Sequence, residues 1–144
     1  MQTVVKWKIS DYMEDLVGKE RSSWQWPLRS MLDAGVHIAA SSDAPAMPFD
    51  WKLGVQAAVL RESKATGRVS GPEQRISREE AIRAYTMGGA WQDHMDQIKG
   101  PIEVGKVGDF CILDGDILSV EAHEIKDIRN LITIIGGRIV YDAR

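Results

Sequence analysis

The sequence predicts an α/β fold over residues 1–99, followed by a segment of short β-strands over residues 100–144. Val36 to Ala40 is a short, nearly continuous apolar run with a β-branched start, which is typical of a parallel strand buried on both faces. A predicted helix over residues 28–34 precedes this strand with almost no linker, as in the second half of a βαβ unit. From Gly100 onward, short apolar runs alternate with glycine-containing turns, which indicates β-strands.

The first 26 residues contain one extended element and one short helix in this interpretation. Residues 3–9 alternate between apolar and polar side chains, which predicts a strand or an ordered extended arm. Ser10 or Asp11 can cap a short helix that stops at Gly18. Residues 19–26 are polar apart from two tryptophans and are predicted to form a loop.

Two longer helices are predicted after the central strand. Asp50 can cap a helix that runs over residues 51–66. Ser77-Arg-Glu-Glu80 is a capping box, which opens a helix that continues to about Trp91. Gly88-Gly89 weakens this helix and indicates close packing of its backbone against a neighbour.

The last third of the chain is predicted to be mostly β-structure. Residues 102–104 and 109–113 are strand candidates, and residues 119–126 can form a helical turn. Residues 131–141 carry the pattern of a β-hairpin with the turn Gly136-Gly137.

Composition restricts the classes of partner. The chain has 18 basic and 21 acidic residues, so it lacks the basic field that nucleic acid or an anionic membrane would attract. Its one cysteine cannot form an internal disulfide, which suits a reducing compartment. No apolar run reaches the length of a membrane span. We therefore expect a cytoplasmic protein with no nucleic-acid partner and no membrane contact.

Asp43 is the strongest candidate functional residue. Its carboxylate follows the predicted strand directly, at the carboxyl end where parallel α/β folds place their chemistry. Alternatively, Ser41, Ser42 and Asp43 simply end the strand and cap the turn before Pro45. The local pattern leaves both interpretations open and favours the turn.

The remaining polar candidates favour structural roles. None of the three histidines belongs to an H-x-H or H-E-x-x-H spacing, and His123 has no partner at ligand spacing. We predict that His37 is a hydrogen-bonded core residue and that Asp93-His-Met-Asp96 is a solvated helix end. Cys111 is predicted to be a buried structural thiol, and Lys106 a turn residue. The five tryptophans are predicted to be core and interface residues.

Six motifs in order resemble the carboxyl-terminal part of metal-dependent amidohydrolases, most closely the amidohydrolase-3 or YtcJ-like branch. The resemblance covers nearly all of residues 19–144. The motifs are residues 32–45, 57–61, 72–77, 80–86, 100–114 and 133–141.

The resemblance implies the terminal portion of a (β/α)8 TIM-like barrel over residues 1–99 and part of a small β-sandwich over residues 100–144. Residues 36–40 would be the eighth barrel strand. Asp43 would bind a divalent metal, zinc in this expectation, and relay a proton during hydrolysis of a C–N bond in a small-molecule substrate. Arg61 would lie near the barrel mouth, without an assigned role.

The sequence lacks the other metal ligands of that family, including the H-x-H motif of the first barrel strand. One carboxylate does not provide the three or more protein ligands that a catalytic zinc needs. We therefore expect a terminal fragment that is inactive alone, and the alternative is a non-catalytic remnant acting as an oligomeric or interaction module. The lost strand neighbours would leave open edges, which predicts a homo-oligomer or a strand-swapped assembly.

Overall fold

Six α-helices and one three-stranded β-sheet make up the structure, a computed structural model that describes all 144 residues. None of the helices combines the length and apolar composition needed to cross a bilayer. The helices are α1 (Thr3–Val17), α2 (Lys19–Ser23), α3 (Leu28–Asp33), α4 (Trp51–Leu60), α5 (Arg78–Tyr85) and α6 (Met87–Gln92). The strands are β1 (Phe110–Leu113), β2 (Asn130–Ile135) and β3 (Arg138–Asp142), and short 3₁₀ helices cover Pro72–Gln74 and Ala122–Asp127.

Two helix starts lie where their caps predict them. The Ser77 hydroxyl accepts a hydrogen bond from the Glu80 backbone N–H at 3.1 Å. The Glu80 carboxylate accepts one from the Ser77 N–H at 2.8 Å, which completes the capping box of α5. The Asp50 carboxylate accepts the Lys52 N–H at 3.0 Å at the start of α4.

The amino-terminal prediction is wrong, because residues 3–9 form the first half of helix α1. The buried face of α1 is mostly polar, so its helical period could not be found from apolar residues. Residues 19–23, predicted as loop, form the short helix α2. The buried residues of α1 are Thr3, Val4, Lys6, Ser10 and Glu14.

Helix α4 ends at Leu60, six residues before the predicted end. Arg61 takes a left-handed conformation with φ 53°, which turns the chain out of the helix. The segment after it folds back through an isolated antiparallel bridge between Glu62 and Val69.

Residues 36–40 form no strand in this structure, so the prediction of a strand buried on both faces is wrong. Val36 is 43% exposed, and only Ile38 joins the core. The segment lacks neighbouring strands and lies instead along α5 and α6. A parallel strand is stable only beside partners that complete its hydrogen-bond ladder.

The sheet has the order β1-β2-β3, and both pairs are antiparallel. Gly136 and Gly137 have φ values of 57° and 76°, as a type I′ turn requires, so the predicted hairpin is confirmed. Strand β1 also confirms the candidate at residues 109–113. Residues 102–104 are irregular, and Val104 is fully exposed, so the strand predicted there is wrong.

One apolar core joins the helices to the 3₁₀ turn that precedes the hairpin. Val55 of α4 and Ile125 of this turn are both 0% exposed and belong to the same cluster. The other buried members come from α3, α4, α5 and the segments beside α3 and α5: Leu28, Ile38, Ala58, Ile76, Ala81 and Ala84.

Candidate functional site

Asp43 lies in an exposed turn just after the 36–40 segment. Its φ of 67° is in the left-handed region, which aspartate tolerates better than most residues. Its carbonyl accepts the Met47 N–H at 3.2 Å. The Ser42 hydroxyl, rather than the Asp43 carboxylate, accepts the Ala44 N–H at 3.2 Å. The Asp43 carboxylate makes no hydrogen bond and no ion pair within the chain, so the turn does not use it.

The residues of this chain do not form a complete divalent-metal site. A catalytic zinc takes three protein ligands, commonly histidine or carboxylate. No group of three histidine, cysteine, aspartate or glutamate side chains is arranged to hold a metal ion. Asp43 can supply one such ligand.

The three histidines have structural settings of their own. His37 is exposed and stacks on Trp91, with ring centroids 4.6 Å apart and planes 9° apart, so the core prediction for His37 is wrong. His94 lies in the exposed stretch 93–95 at the end of α6. His123 Nε2 lies 2.9 Å from a Glu62 carboxylate oxygen at the surface.

Cys111 is exposed on β1, which corrects the prediction of a buried thiol. Three of the four residues of β1 are exposed. Desolvation by the surrounding protein still raises the pKa of the Cys111 thiol. Lys106 lies in a turn as predicted, where its amino group donates to the Asp96 carbonyl at 2.9 Å and pairs with Glu103 at 3.1 Å.

Two of the five tryptophans, which were predicted to be core and interface residues, lie outside the core. Trp24 is 60% exposed and Trp91 is 46% exposed. Trp7, Trp26 and Trp51 are partly buried, and Trp51 lies in the shell around the apolar core.

Arg61 is a buried structural residue, which the sequence did not indicate. It is 2% exposed, and its guanidinium donates to four backbone carbonyls at 2.8–3.0 Å. Burial lowers the pKa of Arg61 to about 10. The accepting carbonyls belong to Ser23, Gln25, Trp26 and Ser70, so Arg61 fixes the turn after α2 to the chain that returns from α4.

Lys6 is a second buried cation close to Arg61. Its amino group donates to the Ser22 carbonyl at 2.9 Å and to the Ser70 hydroxyl at 2.8 Å. Burial, together with the positive charge of Arg61, lowers the pKa of Lys6 to about 8. Both cations are bound to backbone and hydroxyl oxygens of the chain, so their observed contacts are structural.

Comparison with known proteins identifies the family. The model of the amidohydrolase family matches residues 1–141. YtcJ of Bacillus subtilis, which is named as an amidohydrolase, is 33% identical over 132 residues, covering 89% of this chain and 25% of that protein. The N-substituted formamide deformylase of Arthrobacter pascens is 32% identical over 117 residues, covering 81% of this chain and 21% of that protein.

A solved structure agrees with these sequence relatives. A metal-dependent hydrolase of Pyrococcus horikoshii superposes with a TM-score of 0.69 and 29% identity, covering 85% of this chain and 25% of that one. The chain thus spans about a quarter of the length of the proteins that it matches. Because the family model covers nearly the whole sequence, the chain belongs to the amidohydrolase family.

Proposed function

We propose that this chain is the carboxyl-terminal part of a metal-dependent hydrolase that acts on C–N, amide-like bonds of a small molecule. Asp43 supplies one ligand of its divalent metal, for which we propose zinc. The observation that carries this proposal is the free, exposed carboxylate of Asp43 in a chain of the amidohydrolase family. The names of relatives agree with it, since one is a formamide deformylase and another a metal-dependent hydrolase.

The proposal assigns residues 1–99 to the end of a (β/α)8 barrel, in which residues 36–40 become a strand only when other barrel strands pair with them. Hydrogen bonds to Met1 support this assignment. The Met1 amino group donates to the Ala39 carbonyl, and the Ser41 N–H donates to the Met1 carbonyl at 3.0 Å. This pair of bonds is the pattern of a parallel bridge between Met1 and Ala40. On the same edge, the N–H groups of His37 and Ala39 have no partner, so a longer parallel neighbour could bind there.

The proposal assigns residues 100–144 to part of a small β-sandwich. Strand β3 forms one edge of the sheet, and all five of its residues are exposed. Ile139, Val140 and Tyr141 are each at least half exposed, which leaves apolar surface for a second sheet to cover. The same surface favours a second candidate function, in which the chain is a non-catalytic oligomeric or interaction module.

A chimera tests the two candidates. The matching segment of the Arthrobacter pascens deformylase is replaced by this chain, and hydrolysis of an N-substituted formamide is measured. We expect an active chimera in which Asp43→Asn lowers kcat/KM by about 10²-fold or more, because a metal ligand and proton acceptor is lost. Asp33→Asn, which changes an exposed carboxylate paired with Arg29, should leave the rate within about twofold.

Two results would contradict the hydrolase proposal. One is a folded chimera that binds zinc but has no activity. The other is an active chimera in which Asp43→Asn behaves like Asp33→Asn, which would favour the interaction module.

A further inference from the structure

The Tyr85 hydroxyl lies at the carboxyl end of the 36–41 segment, two residues before Asp43. It donates to the Ser41 carbonyl at 3.4 Å and lies 3.4 Å from the Thr3 hydroxyl. Its ring packs at a tilt against Trp51, with centroids 6.4 Å apart. Burial raises the pKa of the Tyr85 phenol, so the group is protonated at neutral pH and able to donate.

The backbone of α4 leaves space for this hydroxyl only because residue 54 is glycine. A Cβ atom at Gly54 would lie 1.8 Å from the Tyr85 hydroxyl oxygen. The Thr3 hydroxyl donates to the Gly54 carbonyl at 2.7 Å, which fixes α1 to α4 at the same point. Three helices therefore meet around the Tyr85 hydroxyl.

Helices α5 and α6 contact the 38–41 segment at Ile38, Ala40 and Ser41. Gly88 packs against the Ile38 carbonyl so closely that no side chain fits between them. The Ala84 carbonyl accepts the Ala40 N–H at 2.9 Å. Tyr85 makes the last of these contacts, at Ser41. Beyond Ser41 the chain turns through Ser42 into the left-handed conformation of Asp43.

We propose that Tyr85 is a positioning residue, whose hydroxyl holds the Ser41 carbonyl and thereby fixes the backbone from which Asp43 projects. The importance of this role rests on the proposed function of Asp43. The contact itself is a property of this chain, and it can be tested without metal or substrate.

The test is NMR spectroscopy of the isotope-labelled chain with Tyr85→Phe, which removes the hydroxyl and keeps the ring. The one-bond Cα–Hα coupling of Asp43 reports the sign of φ, since it is smaller at positive φ. We expect this coupling to move from its positive-φ value towards the random-coil value. We also expect backbone order parameters at residues 42–44 to fall from about 0.85 to below about 0.6.

Two hydroxyl deletions serve as controls. Thr86→Val removes the neighbouring hydroxyl, which bonds only to the Ile82 carbonyl of its own helix at 2.9 Å. Thr3→Val removes the other neighbour of the Tyr85 hydroxyl and leaves the Ser41 contact in place. Both should keep the Asp43 coupling and order parameters of the wild type.

The proposal would be overturned if Tyr85→Phe left the Cα–Hα coupling of Asp43 and the order parameters at residues 42–44 unchanged. This holds even if the melting temperature fell. The proposal would equally be overturned if Thr3→Val, which keeps the Ser41 contact, released Asp43 from its positive-φ conformation. This second outcome needs no measurement on Tyr85→Phe. Failure of the chimera assay would affect only the catalytic role of Asp43.

Discussion

Gly88→Ala should destabilise the fold by roughly 2–3 kcal/mol, a typical cost of forcing extra volume into a packed region. A Cβ atom at position 88 would lie 2.1 Å from the Ile38 carbonyl oxygen and 3.1 Å from the Ala39 Cα. Both contacts are with backbone, which cannot rotate away as a side chain could. The substitution must therefore push α6 away from the 36–40 segment. Urea unfolding followed by circular dichroism measures the change in the free energy of unfolding.

Gly89→Ala is the matched control for this prediction. A Cβ atom at position 89 has no neighbour within 4 Å. Alanine is favoured over glycine in a helix by up to about 1 kcal/mol, so this variant should be as stable as the wild type or more stable. Equal destabilisation by both alanines would contradict the close approach of Gly88 to Ile38.

Arg61→Met should cost at least about 3 kcal/mol, because it leaves one buried carbonyl and three partly buried carbonyls without their donor. The guanidinium is 2% exposed and donates to four carbonyls, of which the Ser70 carbonyl is buried and the other three are partly buried. Domains of this size are stable by about 5–15 kcal/mol, so the loss should be visible as a large fall in the urea midpoint.

Arg75→Met is the control for Arg61. Arg75 is exposed, and its guanidinium makes one hydrogen bond, to the Leu60 carbonyl at 3.0 Å. Its removal should change the free energy of unfolding by only about 0.5–1 kcal/mol. If Arg61→Met were as mild as Arg75→Met, the buried arginine would not be what ties the turn after α2 to the rest of the chain.

Features set by local chemistry were predictable from the sequence. Asp50 and Ser77 cap helices because their side chains reach backbone N–H groups two or three residues away. The Gly136-Gly137 turn follows from the positive φ that glycine tolerates. These contacts depend on few residues, all close together in the sequence.

Features set by distant contacts were not predictable. Lys6 lies on a buried helix face, but its alternation with Val5 and Trp7 resembles a strand. Nothing near Arg61 in the sequence indicates that its guanidinium binds the turn formed by residues 23–26. Residues 36–40 have the composition of a buried strand, yet such a strand needs neighbours that this chain does not provide.

The candidate site shows the same division. The position of Asp43 in a turn after an apolar run could be predicted from the residues around it. The freedom of its carboxylate could not, since it depends on which side chains of the folded chain approach it. The contact of Tyr85 with Ser41 joins residues 44 positions apart, and no local pattern indicates it.

The metal content of the purified chain tests most directly whether Asp43 is one ligand of a site that this chain does not complete. The chain would be equilibrated with excess zinc, desalted and measured by elemental mass spectrometry beside Asp43→Asn. We predict far less than one zinc ion per chain in both proteins, because one carboxylate binds zinc too weakly to survive desalting. One zinc ion per chain that is lost in Asp43→Asn would contradict the account, since the chain would then hold a complete site.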